Sequence, residues 1–95
     1  MAAYVLVNIE ITDPAGFDAY RKAVSATIAA HGGRYLTRGG PTEVLEGDWI
    51  PRRVVILEFP DLARLKAWYT SPEYRPLLEL RKRTTKGDLV VIDGV

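Results

Sequence analysis

The chain opens on a run that is apolar or β-branched at almost every position, AYVLVNIEI from Ala3 to Ile11. Such a run predicts a strand. Only Asn8 and Glu10 interrupt it, so both of its faces are expected to be largely covered. The pattern then changes period. Thr12-Asp13-Pro14 offers a capping side chain and a proline suited to the first helical turn. Phe17, Tyr20, Val24 and Ile28 follow at helical spacing. Gly32-Gly33 ends that helix, because glycine takes the left-handed conformation of a helix C-terminus. RYLTR, Arg34 to Arg38, predicts a second strand, which Gly39-Gly40-Pro41 breaks or bulges. Extended structure is expected to resume over Thr42 to Glu46, before a turn or loop at Gly47-Asp48-Trp49-Ile50-Pro51.

RRVVILEF, Arg52 to Phe59, is the strongest strand signal in the chain. Pro60-Asp61 starts a second helix with Leu62, Leu65, Trp68 and Tyr69 on its stripe. Ser71-Pro72-Glu73 supplies a fresh cap, a proline and an acidic first turn. A third helix, or a kinked continuation, is therefore expected, carrying Tyr74, Leu77, Leu78 and Arg81. Lys86-Gly87-Asp88 reads as a turn, and LVVI, Leu89 to Ile92, as the last strand.

The order strand, helix, strand, strand, helix, strand predicts an α+β fold: a ferredoxin-like βαββαβ sandwich with an antiparallel four-stranded sheet. One face of that sheet takes the helices. The other face is also apolar: Tyr4 and Leu6 alternate with Val5, Val7 and Ile9, Val54 and Ile56 with Val55, Leu57 and Phe59, and Val90 and Ile92 with Leu89 and Val91. A sheet with one wet face would alternate apolar with polar. The second face is therefore expected to pack against a second copy of the chain, two sheets making a dimeric α/β barrel.

Composition sharpens this picture. Ninety-five residues make one domain, spanning 1–95. A chain of this size buries only about 60–65% of its unfolded surface alone. A hydrophobic fraction of 47% is generous for so small a body and fits burial against a partner. The net charge of +1 selects neither nucleic acid nor membrane. The lack of cysteine removes disulfides, thiolate metal sites and thiol nucleophiles, and suits a reducing cytosol. MAAYVLVNIEIT is too short and polar for a secretory leader, and no run reaches the length of a membrane span. A cytoplasmic protein without a membrane partner is expected.

Several stretches in order, YVLVNIEITDP, HGGRYLTRGG, EVLEGDW, RRVVILEFP, AWYTSPEY and the LVVIDGV end, together resemble the family known as domain of unknown function 1330, in the dimeric α/β barrel group. The resemblance covers nearly the whole chain. It implies a ferredoxin-like subunit and a homodimer, and no particular reaction. The wider group includes cofactor-free quinol and antibiotic-biosynthesis monooxygenases, haem-degrading enzymes and muconolactone isomerases. Fold analogy with these implies monooxygenase- or isomerase-like activity without a cofactor. The monooxygenases often carry a histidine in the second-helix region. AWYTSPEY has none, which speaks against quinol oxygenase chemistry and haem ligation.

Candidate chemistry rests on few side chains. His31 is the only histidine, placed either as a cation facing the end of the first helix or as a general base. A single histidine without cysteine does not make a usual zinc site, so no metal is expected. Arg34 and Arg38 are four apart on a strand and are expected to share a face. Arg38, beside Gly39-Gly40, is the candidate anchor for a carboxylate or enolate, against a plain ion pair with Glu46 or Glu58. Asn8, Glu10 and Glu58 are polar positions in apolar strands, and such groups orient substrates or move protons when buried. Trp68, Tyr69 and Tyr74 are read as core or as pocket walls, with Tyr69 a possible hydrogen-bond donor. Trp49 is read as a ligand-pocket lid or, in preference, as a dimer anchor. RKRTTK, Arg81 to Lys86, complements a helix C-terminus. RRVVILEF lacks the stacking aromatics of RNA-recognition domains, so no nucleic-acid partner is expected. GGRYLTRGG lacks the spacing of a phosphate loop.

Two readings follow. The first is a small-molecule site between sheet and helices, with Asn8, Arg38, Trp68 and Tyr69 binding a small anionic or aromatic metabolite. In it, His31, Tyr69 and Glu58 are the weaker catalytic candidates, and any chemistry is cofactor-free. The second is a non-catalytic dimeric module that binds a metabolite or regulates a partner.

Overall fold

Seven elements follow one another in the computed structural model, which describes residues 1–95: β1 (Ala3–Ile11), α1 (Pro14–Ala30), β2 (Arg34–Arg38), β3 (Arg53–Phe59), α2 (Leu62–Tyr69), α3 (Arg75–Thr84) and β4 (Thr85–Asp93). The strands form one sheet in the order β2-β3-β1-β4, and every neighbouring pair is antiparallel. This is the ferredoxin-like sandwich that the alternation of apolar runs predicts. No helix is long and apolar enough to cross a membrane.

The ends of α1 follow from their residues. Asp13 Oδ1 accepts a hydrogen bond from the Gly16 amide at 3.2 Å, and Pro14 occupies the first turn. At the other end Gly32 has φ of +78°, its amide donating to Ala29 O and that of Gly33 to Ile28 O, each at 3.0 Å. That pair of reversed bonds satisfies carbonyls that the ending helix leaves free. Between α2 and α3, the Ser71 hydroxyl donates to Trp68 O at 2.8 Å and accepts from the Tyr74 amide at 3.2 Å. Ser71 thus closes a turn holding Pro72 and Glu73, and α3 starts only after it.

The core lies between the sheet and the helices. Ala3, Val5, Val7 and Ile9 supply one face of β1, with Leu57 and Phe59 beside them. Phe17, Val24 and Ile28 cover them from α1, and Leu65 and Trp68 from α2. Trp68 is 1% exposed, with ring centroids 4.2 Å from Tyr74 and 5.3 Å from Phe59. Its indole N–H donates to Thr27 Oγ1 at 3.0 Å, and that hydroxyl donates to Val24 O at 2.7 Å, so the buried donor is satisfied and α2 is tied to α1.

Two segments depart from the sequence expectation. Thr42 to Glu46 is not extended sheet but part of the long loop between β2 and β3, which begins at Arg53. β2 lies at the sheet edge, so this stretch finds no strand to pair with. Val44, Leu45, Trp49 and Ile50 of the loop are exposed. Lys86-Gly87-Asp88 is not a turn but part of β4. Gly87 lies opposite Ile9 with φ of +147°, and a Cβ there would collide with the Asn8 carbonyl oxygen. This glycine marks a close approach of two backbones, for which the sequence signal resembles that of a turn.

The face away from the helices is apolar as expected. Tyr4 pairs with Ile92, and Leu6 with both Val90 and Ile56. Val90 and Ile92 are 47% and 48% exposed.

Candidate functional site

A β-bulge decides what faces the space between sheet and helices. Arg34 lies opposite Glu58 and Tyr35 opposite Leu57, but Thr37 then lies opposite Ile56 and Arg38 opposite Val55. Leu36 is the extra residue, and a one-residue slip reverses the face of everything after it. The regular spacing that puts Arg34 and Arg38 on one face is therefore overturned. Arg34 stays on the open face, its Nε donating to Glu58 Oε1 at 2.7 Å. Arg38 turns to the helix side. There it joins a row across the sheet, Arg38, Val55, Val7 and Leu89.

A cavity of about 40 Å³ lies over this row. Val7, Ile9, Val55 and Leu57 line it from the sheet, and Phe17, Tyr20 and Val24 from α1, with Trp68 at one wall. Its walls also include four arginines, Arg21, Arg38, Arg53 and Arg81, and no Asp, Glu or His. At one end it meets an open basin lined by Arg21, Lys22, Ser25, Arg38 and Arg53.

These arginines are not equivalent. Arg21 and Lys22 share Asp18, at 2.6 Å and 3.0 Å. Hydrogen bonds from Lys22 and then Arg21 hold the Asp18 carboxyl below its ordinary range. Arg38 has no such partner. Its guanidinium sits 4.5 Å above the Tyr35 ring and donates through Nη2 to Arg21 O at 3.1 Å. Arg53 has no carboxylate within 4.0 Å either, and its Nε is buried without a hydrogen-bond partner. Burial lowers the Arg53 pKa, and the nearby charges of Arg21 and Arg38 lower it further. Gly39, with φ of +73°, lets the end of β2 lie against this side chain, since a Cβ there would strike the Arg53 guanidinium.

Tyr20 completes the wall. Its hydroxyl is 3.0 Å from that of Tyr74. Burial pushes the Tyr20 phenol far above its ordinary value of 10.0, and the adjacent Tyr74 adds to the rise. Tyr20 is thus a neutral hydrogen-bonding group and not a base. A raised acid pKa contributes stability that is complete below the ordinary value and is lost as pH rises above it. Urea midpoints between about pH 8 and 12 are expected to fall more steeply for the wild type than for Tyr20→Phe. Parallel curves for the two proteins would contradict this.

Of the sequence candidates for ligand binding, the structure brings Arg38 and Trp68 together at the cavity. Asn8 lies on the opposite face of the sheet, where its Oδ1 accepts from the Arg52 amide at 2.8 Å and fixes the end of the long loop. Tyr69 packs against the core and lines a separate shallow groove with Leu65, Lys66 and Val91. Its ring meets that of Trp68 edge-on at 6.3 Å. His31 caps the end of α1, with Nδ1 3.0 Å from Thr27 O. Glu58 is engaged by Arg34. Sequence reasoning missed Arg21, Arg53 and Tyr20 as site residues, and read Arg81 only as part of a basic run. The signal for Arg53 was its alternation with Val55 and Leu57; that for Arg81 was its place on the stripe of Tyr74, Leu77 and Leu78.

The model of the family described as Domain of unknown function (DUF1330) matches residues 2–95. The chain belongs to the DUF1330 family. No curated protein matches this DUF1330 chain by sequence. Among solved structures, it is similar to a protein of unknown function from Rhodopseudomonas palustris, with a TM-score of 0.80, 18% identity, and coverage of 99% of this chain and 82% of that one. A dimeric ferredoxin-like protein of unknown function from Jannaschia sp. CCS1 gives 0.63 at 19% identity, over 100% and 99% of the two chains. SnoaB, a cofactor-independent oxygenase from Streptomyces nogalater, gives 0.66 at 12% identity, over 99% and 93%. At these identities the likeness is one of fold. It places the DUF1330 chain among ferredoxin-like proteins, some of them dimeric and one of them an oxygenase that uses no cofactor.

Proposed function

We propose that this protein is a homodimer whose subunits each bind a small anionic metabolite in the cavity between sheet and helices. One observation carries the reading: Arg38 and Arg53 stand at the open end of an apolar cavity with no protein carboxylate to neutralise them. Guanidinium groups hold carboxylates through paired, charge-assisted hydrogen bonds, and the surrounding apolar walls strengthen them by excluding water. The size of the cavity disfavours an aromatic ligand, and the arginines favour an anionic one. About 40 Å³ admits roughly three water-sized groups, whereas a cavity that binds benzene measures about 150 Å³.

The lining also favours binding without turnover. It offers no histidine or carboxylate as a base, and Tyr20 is held neutral. Chemistry of the kind SnoaB is named for, oxygenation without a cofactor, is the alternative function. A thermal-shift screen of metabolite carboxylates, followed by turnover assays on the hits, separates the two. Arg38→Ala is expected to weaken binding of the hits roughly 10- to 100-fold, the worth of a charge-assisted contact. Equal binding by the wild type and Arg38→Ala would overturn the site, and substrate consumption by the wild type would make it an active site.

A further inference from the structure

We propose that the inner end of the cavity is a second anion site built on Arg81, so that the ligand is a slim dianion, an α,ω-dicarboxylate held at both ends. The inference rests on the anion-binding reading of the same cavity.

Arg81 is only 7% exposed, and its Nε is buried with no hydrogen-bond partner in the protein. No carboxylate lies within 4.0 Å of it. A guanidinium keeps its proton under all ordinary conditions, so it does not escape burial by becoming neutral. The dipole of α3 favours a cation in its last turn, but it offers nothing to the Nε hydrogen. A buried charge is tolerated when it is paired and hydrogen-bonded. Apart from Tyr20, Tyr35 and the other three arginines, the cavity that Arg81 lines has apolar walls, Leu89 and Trp68 among them. The Tyr20 and Tyr74 hydroxyls share one hydrogen bond, which leaves the second hydroxyl hydrogen free to donate. Arg81 and this hydroxyl pair together make a donor set for an oxyanion.

Arg81 stands apart from the other arginines. The outer basin is lined by Arg21, Arg38 and Arg53, and Arg81 is not part of it. Arg38 belongs to β2 at one edge of the sheet, while α3 runs directly into β4 at the other. The row from Arg38 to Leu89 crosses three strand spacings, roughly 14 Å of backbone. Between the two cationic ends the walls are aliphatic and aromatic. With room for roughly three water-sized groups, the space fits a chain of two to four methylenes rather than a ring.

The test is calorimetric titration of the intact protein, at constant ionic strength, with succinate, glutarate and adipate against butyrate, pentanoate and hexanoate. At least one dicarboxylate is expected to bind roughly 10- to 100-fold tighter than the monocarboxylate of equal length. Arg81→Met is expected to erase that preference and leave monocarboxylate binding in place. Without ligand, Arg81→Met is expected to melt about 4 °C or more above the wild type, because an apolar side chain replaces an unpaired buried charge. An Arg81 that only held the fold together would move the melting temperature the other way. Arg81→Lys keeps the charge without the planar fork, and is expected to retain a weakened preference. Equal binding of mono- and dicarboxylates by the wild type, or an undiminished preference in both Arg81 variants, would overturn the two-ended site. Monocarboxylate binding lost in Arg38→Ala would still stand in that case, and the anion-binding reading with it. Failure of every carboxylate to bind would overturn both.

Discussion

Trp68→Ala is expected to cost about 3–5 kcal/mol of stability, the usual range for emptying a buried aromatic position. Small domains hold about 5–15 kcal/mol in total, so the variant is expected to be partly unfolded at moderate temperature. Three things are lost together. Trp68 fills the space under α2 against Phe59 and Tyr74, and its removal leaves both rings facing a void. Its N–H on Thr27 is the side-chain link from α2 to α1. It also forms one wall of the cavity, so its loss widens the site. Trp68→Phe separates these terms. It keeps most of the ring and loses the hydrogen bond, for an expected cost of about 1–2 kcal/mol. Urea unfolding followed by circular dichroism measures both, and a loss below about 1 kcal/mol in Trp68→Ala would mean that α2 is not anchored through this ring.

Most of the architecture was legible because it is written in runs and periods. β1 and β3 are short, nearly continuous apolar runs, α1 and α2 recur at helical spacing, and Asp13-Pro14, Gly32-Gly33 and Asp61 mark ends that the backbone then adopts. Glycine was the weak point. At Gly32 it ends a helix, as read. At Gly87 it permits two strands to approach closely, and composition does not separate that from a turn. The site was half legible for a related reason. Leu36 gives no sign of being a bulge, yet that bulge takes Arg38 away from Glu58 and into the cavity. A bulge is a property of how two strands register, which neither strand states alone. Asn8 looked like a polar group buried for a purpose. Its partner, the Arg52 amide, is 44 residues away in the chain, so a structural role was invisible from local pattern. Arg81 was hidden by its neighbours. RKRTT reads as a solvated helix end, and only the helical stripe shared with Leu77 and Leu78 separates the buried arginine from the exposed Lys82 and Arg83.

Ile56→Asp is expected to convert a dimer into a folded monomer, with the mass in solution falling from about twice 10.6 kDa to 10.6 kDa at micromolar concentration. Ile56 lies on an inner strand, opposite Leu6, on the face that the helices leave open. In the monomer Ile56 is half-buried on that face, where a carboxylate still reaches water, so an aspartate there costs the fold far less than a fully buried charge. Against a second sheet it becomes a buried, unpaired charge, which costs about 3–5 kcal/mol. A two-fold interface contains each residue twice, so the dissociation constant is expected to rise by roughly four orders of magnitude or more. The sheet face measures about 440 Å² in projection, from seven residues of β3 and four strands at ordinary spacing. A standard interface buries roughly 800 Å² per partner. The long loop, with Val44, Leu45, Trp49 and Ile50 exposed, would supply the remaining apolar area to a second copy. Trp49→Ala is accordingly expected to weaken the dimer without abolishing it, and sedimentation equilibrium reads both variants. A monomeric wild type, or an Ile56→Asp protein that stays dimeric, would place the subunit contact elsewhere or remove it. Because the cavity opens on the helix side of the sheet, a monomeric Ile56→Asp is also expected to keep its affinity for carboxylates. That outcome would make assembly and ligand binding separable, one on each face of the same four strands.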